Sequence, residues 1–534
     1  MSQLPPLLID GSSLDFEALV QVARLGRPVA LAEPARARML QSQAWVAGAG
    51  RRDAPVYGVN TGFGSLARVR IPADQTATLS LNLLRSHAAG VGPPVEAPAV
   101  RAMMLLRANA LAKGVSGCRP LLVETLAAML NADVLPVVPQ QGSCGSSGDL
   151  APLAHLGLVM AEGDHGEAFF DGRRMPAAQA MALAGIPRLQ MQAKDGLAIT
   201  NGAQLTTAIA ALACHDAELL VQAAELAAAM SIAALRGSSR AFHPAVHRLR
   251  PYPGAIACAA SLSRLLQGCA LIDSVPEKVQ DAYSLRCTPQ VLGAVRDQVA
   301  FARAQVAIEL NSVTDNPVIL LPEVRGPEED DSLPIGDLEN HAFSAGLFHG
   351  EPVGMAMDVL KIGLCELGSL SERRLYRLTT GSLSQRLPLA LIAADKPGLG
   401  LLLPQTTAAA LVSENKALAW PASVDSIPTC EDQEDHVAMS TTAARRCARV
   451  LANAQRVVAV ELLGAAHALQ FRVDEEGEAA LGPALATALR RIHDQLGGLR
   501  TDRPVGPEIE SLARALPSLV EGLGRDQDLG EAGR

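Results

Sequence analysis

The run of small residues at Gly142–Asp149, which reads GSCGSSGD, is the segment with the clearest chemical potential. A glycine that follows two serines has an amide nitrogen that no Cβ shields, so in a tight turn it can attack the carbonyl carbon two residues earlier. Loss of water, with dehydration of the Ser147 side chain, would leave a methylidene-imidazolone ring with an electrophilic exocyclic carbon. The alternative is a plain turn in which Asp149 or Ser147 caps a helix that begins near Leu150. A nucleophile elbow is a poor fit, because the run contains GSSG rather than GxSxG.

The longer stretch GSCGSSGDLAPLAH resembles the motif GSxGASGDLAPLxH of the aromatic amino acid ammonia-lyases and aminomutases. The prosthetic group of that family forms from Ala-Ser-Gly. The resemblance implies that Ser146, Ser147 and Gly148 form a methylidene-imidazolone cofactor, without a metal or a nucleotide, and that Ser147 supplies the methylidene carbon. Ser146 replaces the usual alanine, and since that residue gives only its backbone to the ring, closure should survive.

Two further segments in the first 210 residues match the family. Tyr57 opens YGVNTGFG, which is similar to a mobile inner loop whose tyrosine takes the substrate β-proton. Asn201 in GLAITNGAQ matches an asparagine beside the prosthetic group. Without the resemblance, Tyr57 would be interpreted as a packed anchor and Asn201 as a helix cap before Gly202.

The middle of the chain contributes the remaining matches. VQDAYSLR places Gln280, Tyr283 and Arg286 on the family pattern VQDxYSLR, which implies substrate binding by Gln280 and Arg286 and a catalytic role for Tyr283. A planar guanidinium suits the substrate carboxylate. Phe348 in GLFHGEP matches an aromatic residue that packs near the ring, although Leu347 stands where the family has asparagine.

Two positions resemble the histidine enzymes of the family. The pair Ser86-His87 matches their Ser-His, which some tyrosine aminomutases share, and QEDH at Gln433–His436 matches their acidic motif. Glu434 offers a carboxylate for an imidazole or an amino group. Asp432 replaces the asparagine that the family carries just before the glutamine.

The resemblance therefore implies an ammonia-lyase that converts L-histidine to trans-urocanate. A phenylalanine or tyrosine ammonia-lyase, or an aminomutase of the same family, stays open as an alternative. A non-catalytic helical assembly protein derived from such an enzyme is the alternative from another class. Family members are homotetramers whose sites collect residues from three subunits, and this implies that Tyr57, Arg286 and Glu434 come from different chains.

Composition predicts the fold class. Of 534 residues, 49% are hydrophobic but only 3% are aromatic, which favours long Ala- and Leu-rich helices over a sandwich or a propeller. We expect an all-α protein with a long central helix bundle. A loop-rich helical region at 1–200 would carry the self-modified turn, the long helices would span 201–475, and a helical tail would follow at 476–534.

Charge and hydropathy limit the partners. The net charge is −9 and long Lys/Arg runs are absent, so a small molecule is a better partner than nucleic acid or an anionic membrane. Glu218 and Glu225 interrupt the apolar stretch Ala217–Leu235, which predicts a buried helix rather than a membrane span. Met1–Asp15 lacks the pattern of a secretory signal, and the nine cysteines form no CxxC pair. We expect a cytoplasmic protein with reduced thiols.

Overall fold

The computed structural model describes residues 4–50, 56–62, 68–322, 324, 341–393, 397–497 and 502–523. The chain divides into two units, and each is assembled from three separate stretches. The first consists of Met1–Leu212, Arg303–Asp358 and Pro421–Arg445, and the second of Ala213–Ala302, Val359–Trp420 and Arg446–Arg534. The predicted regions 1–200, 201–475 and 476–534 are contiguous stretches, which this division into units does not test. They stay a prediction.

Helices dominate the described residues, which confirms the predicted fold class. In chain order they are α1 (Phe16–Leu25), α2 (Glu33–Ala49), α3 (Thr76–His87), α4 (Ala97–Ala112), α5 (Pro120–Asn131), α6 (Leu150–Met160), α7 (Ala177–Leu183), α8 (Asp195–Thr200), α9 (Gln204–Ala234), α10 (Pro244–Arg248), α11 (Pro253–Leu265), α12 (Tyr283–Arg286), α13 (Thr288–Glu309), α14 (Glu351–Thr379), α15 (Leu402–Leu418), α16 (Ser440–Glu476), α17 (Gly482–Leu496) and α18 (Gly506–Val520). Short 3-10 helices lie at Ala73–Gln75, Ser239–Phe242, Leu389–Leu391 and Glu478–Leu481. Helices α9, α13, α14 and α16 are the long ones, with 22 to 37 residues each.

Short strands form small sheets in the first unit, which the composition did not predict. The strands are β1 (Leu7–Ile9), β2 (Val29–Leu31), β3 (Val91–Pro94), β4 (Leu135–Pro136), β5 (Pro139–Gln141), β6 (Glu167–Phe170), β7 (Arg173–Pro176), β8 (Val318–Ile319) and β9 (Ala342–Phe343). β1 pairs with β2 in parallel, whereas β3–β5, β4–β6–β7 and β8–β9 are antiparallel. β5 ends one residue before the GSCGSSGD run and α6 begins directly after it, so regular structure frames the turn on both sides.

Helix α9 is the one helix in the described part of the chain that is long and apolar enough to cross a membrane. Its most apolar window is 83% buried, as in the core helix of a folded protein. Glu225 within it is 1% exposed and binds Arg296 of α13, with Nε 2.6 Å from Oε1. Burial of α9 agrees with the sequence-based interpretation of Ala217–Leu235 as a buried helix.

Glu461 of α16 is the centre of a buried polar cluster in the second unit. Its carboxylate accepts hydrogen bonds from Arg374 Nε and Nη2 at 2.5 and 2.7 Å. Ser231 Oγ of α9 and Ser371 Oγ of α14 donate to the same carboxylate at 2.7 and 2.6 Å. A buried carboxylate is tolerated when paired and fully hydrogen-bonded, so this cluster fixes three long helices against one another.

Helices α3, α6 and α8 pack against one another in the first unit. Two glycines allow their close approach: a Cβ on Gly157 of α6 would lie 2.6 Å from Leu84 Cδ2, and one on Gly196 of α8 would lie 2.5 Å from Ser80 O. The backbone nitrogen of Gly196 also donates to Ser80 Oγ at 2.8 Å. This packing brings together the end of α3, the start of α6 and the end of α8, where His87, the serine turn and Asn201 lie.

Candidate active site

Asp149 fixes the turn that precedes α6. Its buried carboxylate accepts hydrogen bonds from Ser143 Oγ at 2.7 Å, from the Thr206 backbone nitrogen at 2.8 Å and from Thr441 Oγ1 at 2.6 Å. Burial raises the pKa of Asp149, although these hydrogen bonds act to lower it. The structure corrects the predicted cap: α6 begins at Leu150 as expected, but the Asp149 side chain does not cap it, because partners outside the helix occupy both oxygens.

Gly148 lies directly against the backbone of Gly202. Its φ is +82°, and a Cβ there would lie less than 3.0 Å from backbone atoms of Gly202, so a larger residue does not fit. The Asp149 nitrogen donates to the Gly202 carbonyl at 2.8 Å, and the Gly202 nitrogen donates to the Ser147 carbonyl at 3.3 Å. One partner residue therefore holds the turn on both sides of Gly148.

Ser146 and Ser147 have different surroundings. Ser146 is 4% exposed, and its hydroxyl has no hydrogen-bond partner among the described residues. The hydroxyl of Ser147 donates to Glu434 Oε1. These surroundings fit the three precursors of the implied prosthetic group: Gly148 lies in a tight turn, the Ser146 hydroxyl has no hydrogen-bond partner among the described residues, and the Ser147 hydroxyl faces the cavity.

A cavity of about 660 Å³ opens at this turn, within the first unit. Its volume suits a small organic ligand such as an amino acid with an aromatic ring. The predicted site residues that line it are Tyr57, His87, Ser146, Ser147, Asn201, Phe348 and Glu434. Tyr57 and Glu434 thus line one cavity of one chain, so the prediction that they come from different chains is wrong. Residues 63 and 64 of the predicted inner loop lie outside the described residues.

Glu434 and His87 provide the polar groups for a substrate ring. Thr429 Oγ1 donates to Glu434 Oε2 at 2.6 Å, while Ser147 contacts Oε1. His87 is the last residue of α3, and its Nδ1 lies 2.9 Å from Ser86 Oγ. Burial lowers the pKa of His87, against smaller opposing effects of the Leu83 carbonyl and of the Glu434 charge. Burial thus disfavours the charged form of His87, which suits a hydrogen-bonding role toward a substrate ring.

Asn201 is held from behind by a buried polar cluster. Its Nδ2 donates to the Asn316 carbonyl at 3.1 Å and to Asp315 Oδ1 at 3.4 Å, and its own carbonyl accepts from Arg107 Nη1. Arg107 is fully buried, and this burial lowers its pKa against the opposing effect of Asp315. Sequence reasoning missed Arg107, although an arginine within the apolar helix MMLLRANALA was a visible signal.

Sequence reasoning also passed over two histidines that line the cavity. The rings of His349 and His436 have centroids 5.8 Å apart, and His349 Nε2 lies 3.3 Å from the His436 carbonyl. Both histidines lie inside the matched motifs, but the family pattern assigns site roles to Phe348 and Glu434 and none to the histidines. Leu347 is 47% exposed and is not among the lining residues.

The predicted residues Gln280, Tyr283 and Arg286 belong to the second unit and are not among the residues that line the cavity. Tyr283 is 72% exposed, and the guanidinium carbon of Arg286 lies 4.9 Å from its ring centroid. Arg286 Nε is buried and has no hydrogen-bond partner among the described residues. The roles predicted for these three residues stay predictions.

Glu309, the last residue of α13, makes stability depend on pH. Burial and repulsion from Asp149 raise its pKa to about 7, against 4.5 for the ordinary group. Between these values the folded protein binds more protons than the unfolded chain, so stability falls as pH rises through this window, by up to roughly 3 kcal/mol. Glu309→Gln should abolish this fall and raise the thermal midpoint relative to wild type at pH 8 but not at pH 4.5. The exposed control Glu17→Gln should follow wild type, and parallel profiles for wild type and Glu309→Gln would contradict the assignment.

Comparison with known proteins adds independent findings. The model of the aromatic amino acid lyase family matches residues 14–494. A histidine ammonia-lyase from Gloeobacter violaceus is 46% identical over 512 residues, which covers 96% of this chain and 95% of the relative. One from Myxococcus xanthus is 44% identical over 520 residues, with 96% and 97% covered.

Solved structures agree with the sequence comparison. The histidine ammonia-lyase of Trypanosoma cruzi superimposes with a TM-score of 0.86 at 33% identity, covering 98% of this chain and 96% of the other. The tyrosine aminomutase of Streptomyces globisporus gives 0.87 at 34% identity, covering 98% and 100%. With the motif at Ser146–Gly148 and the matching fold, the chain belongs to the aromatic amino acid lyase family.

Proposed function

We propose that the protein is a histidine ammonia-lyase, which eliminates ammonia from L-histidine to give trans-urocanate. The observation that carries this proposal is the contact between Glu434 and Ser147. It puts an acceptor for an imidazole N–H beside the serine that would supply the reacting carbon. His87 in the same cavity, and relatives named histidine ammonia-lyase over nearly the whole chain, support it further.

The proposed cofactor is a methylidene-imidazolone made from Ser146, Ser147 and Gly148. When formed, this group supplies an electrophilic carbon that takes up the substrate amino group and makes it a better leaving group. The chain provides the restraint for its formation, because Gly202 and Asp149 hold the backbone on both sides of Gly148. The Ser147 side chain faces the cavity in which the substrate would bind.

The side chains around the cavity divide the remaining tasks. Tyr57 takes the β-proton, His87 and Glu434 orient the imidazole, and Asn201 and Phe348 complete the wall. Such positioning supplies much of the rate, because the reacting atoms are then held close and aligned.

Turnover of histidine, tyrosine and phenylalanine, assayed side by side on the purified protein, tests the proposal. We expect trans-urocanate from histidine as the dominant product. β-Tyrosine from tyrosine would instead identify an aminomutase, the second candidate. This candidate rests on the structural similarity to the tyrosine aminomutase of Streptomyces globisporus.

His87→Phe should lower the turnover of histidine far more than that of phenylalanine. His87 is half-buried. A polar group that hydrogen-bonds the imidazole discriminates between rings, because the wrong ring leaves it unpaired. We expect a loss of about 10- to 100-fold on histidine in kcat/KM. The exposed His165→Phe serves as the control. Equal losses on both substrates would mean that His87 is structural.

We also propose a homotetramer with shared active sites. Among the described residues that line the cavity none is lysine or arginine, so the substrate carboxylate lacks a cation there. Arg286 of another subunit is the proposed source. Exposed apolar residues along α14, among them Met355, Ile362 and Tyr376, are compatible with burial against copies of the chain.

Mixing two inactive variants, Arg286→Ala and Glu434→Ala, should restore part of the activity when subunits exchange. Some mixed sites would then carry neither lesion. The pair Tyr57→Phe and Glu434→Ala is the matched control, and it should stay inactive because both residues line one cavity of one chain. Mixed tetramers of the first pair that form and remain inactive, or an active monomer in light scattering, would contradict the shared site.

The proposed partner is a small amino acid rather than nucleic acid or a membrane, and the proposed location is the cytoplasm. The net charge of −9 supports the first proposal, since a phosphate-rich partner needs clustered positive charge.

A further inference from the structure

The turn between Thr429 and Glu434 has an unusual backbone. Cys430, Glu431 and Asp432 have φ values of 52°, 54° and 61°, all in the left-handed region. None of the three is glycine, and residues with a Cβ are disfavoured there. Such a turn persists only where the surrounding structure holds its ends.

Thr429 and Glu434 hold these ends together by three contacts. The Thr429 nitrogen donates to the Glu434 carbonyl at 3.0 Å, and the Glu434 nitrogen donates to the Thr429 carbonyl at 3.3 Å. Thr429 Oγ1 donates to Glu434 Oε2 at 2.6 Å. One residue therefore fixes both the backbone and the carboxylate of Glu434.

We propose that Thr429 is the positioning residue for substrate-ring recognition, because its hydroxyl orients the Glu434 carboxylate toward the serine turn. The inference rests on the proposed function, in which Glu434 accepts the imidazole N–H. Thr429 binds one carboxylate oxygen, Oε2, and the other, Oε1, faces Ser147. The two oxygens thus have separate tasks, one anchored and one directed into the cavity.

The hydroxyl of Thr429 matters because the last torsion of a glutamate is broad. Without this anchor the carboxylate can rotate, and an imidazole N–H in the cavity loses its aligned acceptor. Ser147 loses its own hydroxyl when the proposed cofactor forms, whereas Thr429 Oγ1 keeps its hydrogen bond to Oε2. A substrate ring without N–H groups gains nothing from this alignment.

Kinetics and binding of Thr429→Val, which replaces the hydroxyl with a methyl group of similar size, test the inference. We expect kcat/KM for histidine to fall about 10- to 100-fold, the loss of one hydrogen bond to a charged group. Calorimetric titration should show much weaker binding of trans-urocanate, with little change for trans-cinnamate. Thr429→Ser should recover most of the loss, because it keeps the donor.

Controls separate positioning from a general loss of structure. Thr406→Val removes a hydroxyl that donates to the Leu402 carbonyl in its own helix. This variant should change the binding of neither trans-urocanate nor trans-cinnamate. Thr429→Ala also removes the hydroxyl, and its side chain is smaller than valine. It is measured in place of Thr429→Val if the valine variant does not fold. The inference is overturned if the hydroxyl-free variants match wild type, if both ligands weaken equally, or if serine does not rescue. A wild-type protein that is inactive on histidine would overturn the proposed function itself, and this inference with it.

Discussion

Ser147→Ala is expected to abolish turnover and not to undergo the loss of water that the Ser147 side chain undergoes in wild type. The wild-type chain should weigh less than its sequence by two waters, one lost on ring closure and one from the Ser147 side chain. The variant keeps the backbone of the turn but has no hydroxyl to lose, so the electrophilic carbon cannot form. Loss of a covalent catalytic group predicts a fall in kcat of about 10³-fold or more.

Intact-mass spectrometry and turnover of histidine check this result together, with circular dichroism to verify that the helices remain. Ser146→Ala is the matched control, one residue earlier in the same turn. It should still lose two waters, because the Ser146 hydroxyl has no partner among the described residues and only its backbone enters the ring. A wild-type protein that has its full translated mass and still eliminates ammonia would contradict the proposed mechanism.

The serine turn was predictable because its chemistry depends on consecutive residues. Ser146, Ser147 and Gly148 are adjacent in the chain, and the glycine amide that no Cβ shields is visible in the sequence itself. The partner that makes glycine necessary, Gly202, lies 54 positions away and is fixed by tertiary packing. A pattern of neighbours predicts the reacting atoms, whereas the restraints on them come from the fold.

The role of Asp149 shows the same limit. Its position before α6 predicts a helix cap, which is the usual use of aspartate there. Thr206 and Thr441 compete for its carboxylate, and they arrive from distant helices. Long-range hydrogen bonds to a buried carboxylate outweigh a local cap, and a sequence carries no signal for them.

The turn at Cys430–Asp432 could not be predicted for a different reason. Left-handed backbone is normally signalled by glycine or asparagine, and this turn reads CED. Its conformation depends on the Thr429–Glu434 contacts, for which the sequence carries no signal. The family pattern identified Glu434 correctly as a cavity residue but gave no indication of Thr429.

Gly202→Ala is expected to prevent formation of the cofactor without touching a ring atom. Gly202 has φ +137°, and its added Cβ would lie 2.5 Å from Gln204 Oε1 and 2.8 Å from Arg107 Nη1. An alanine is also strained at this φ, and relief of the strain moves the backbone, and with it the two hydrogen bonds that hold Ser147 and Asp149. We expect full-mass protein and a loss of turnover of about 10³-fold, because the amide and the carbonyl that must meet are no longer held together.

Gly172→Ala provides the control for backbone strain alone. Gly172 also has a positive φ, +70°, but a Cβ there meets nothing within 4 Å. Gly172→Ala should lose only about 1 kcal/mol of folding stability, the cost of a left-handed alanine. It should form the cofactor and reach the same mass as wild type. Folded Gly202→Ala protein that lacks two waters, as wild type does, would show that the turn cyclises without this clamp. The contacts of Gly202 would then serve stability rather than maturation.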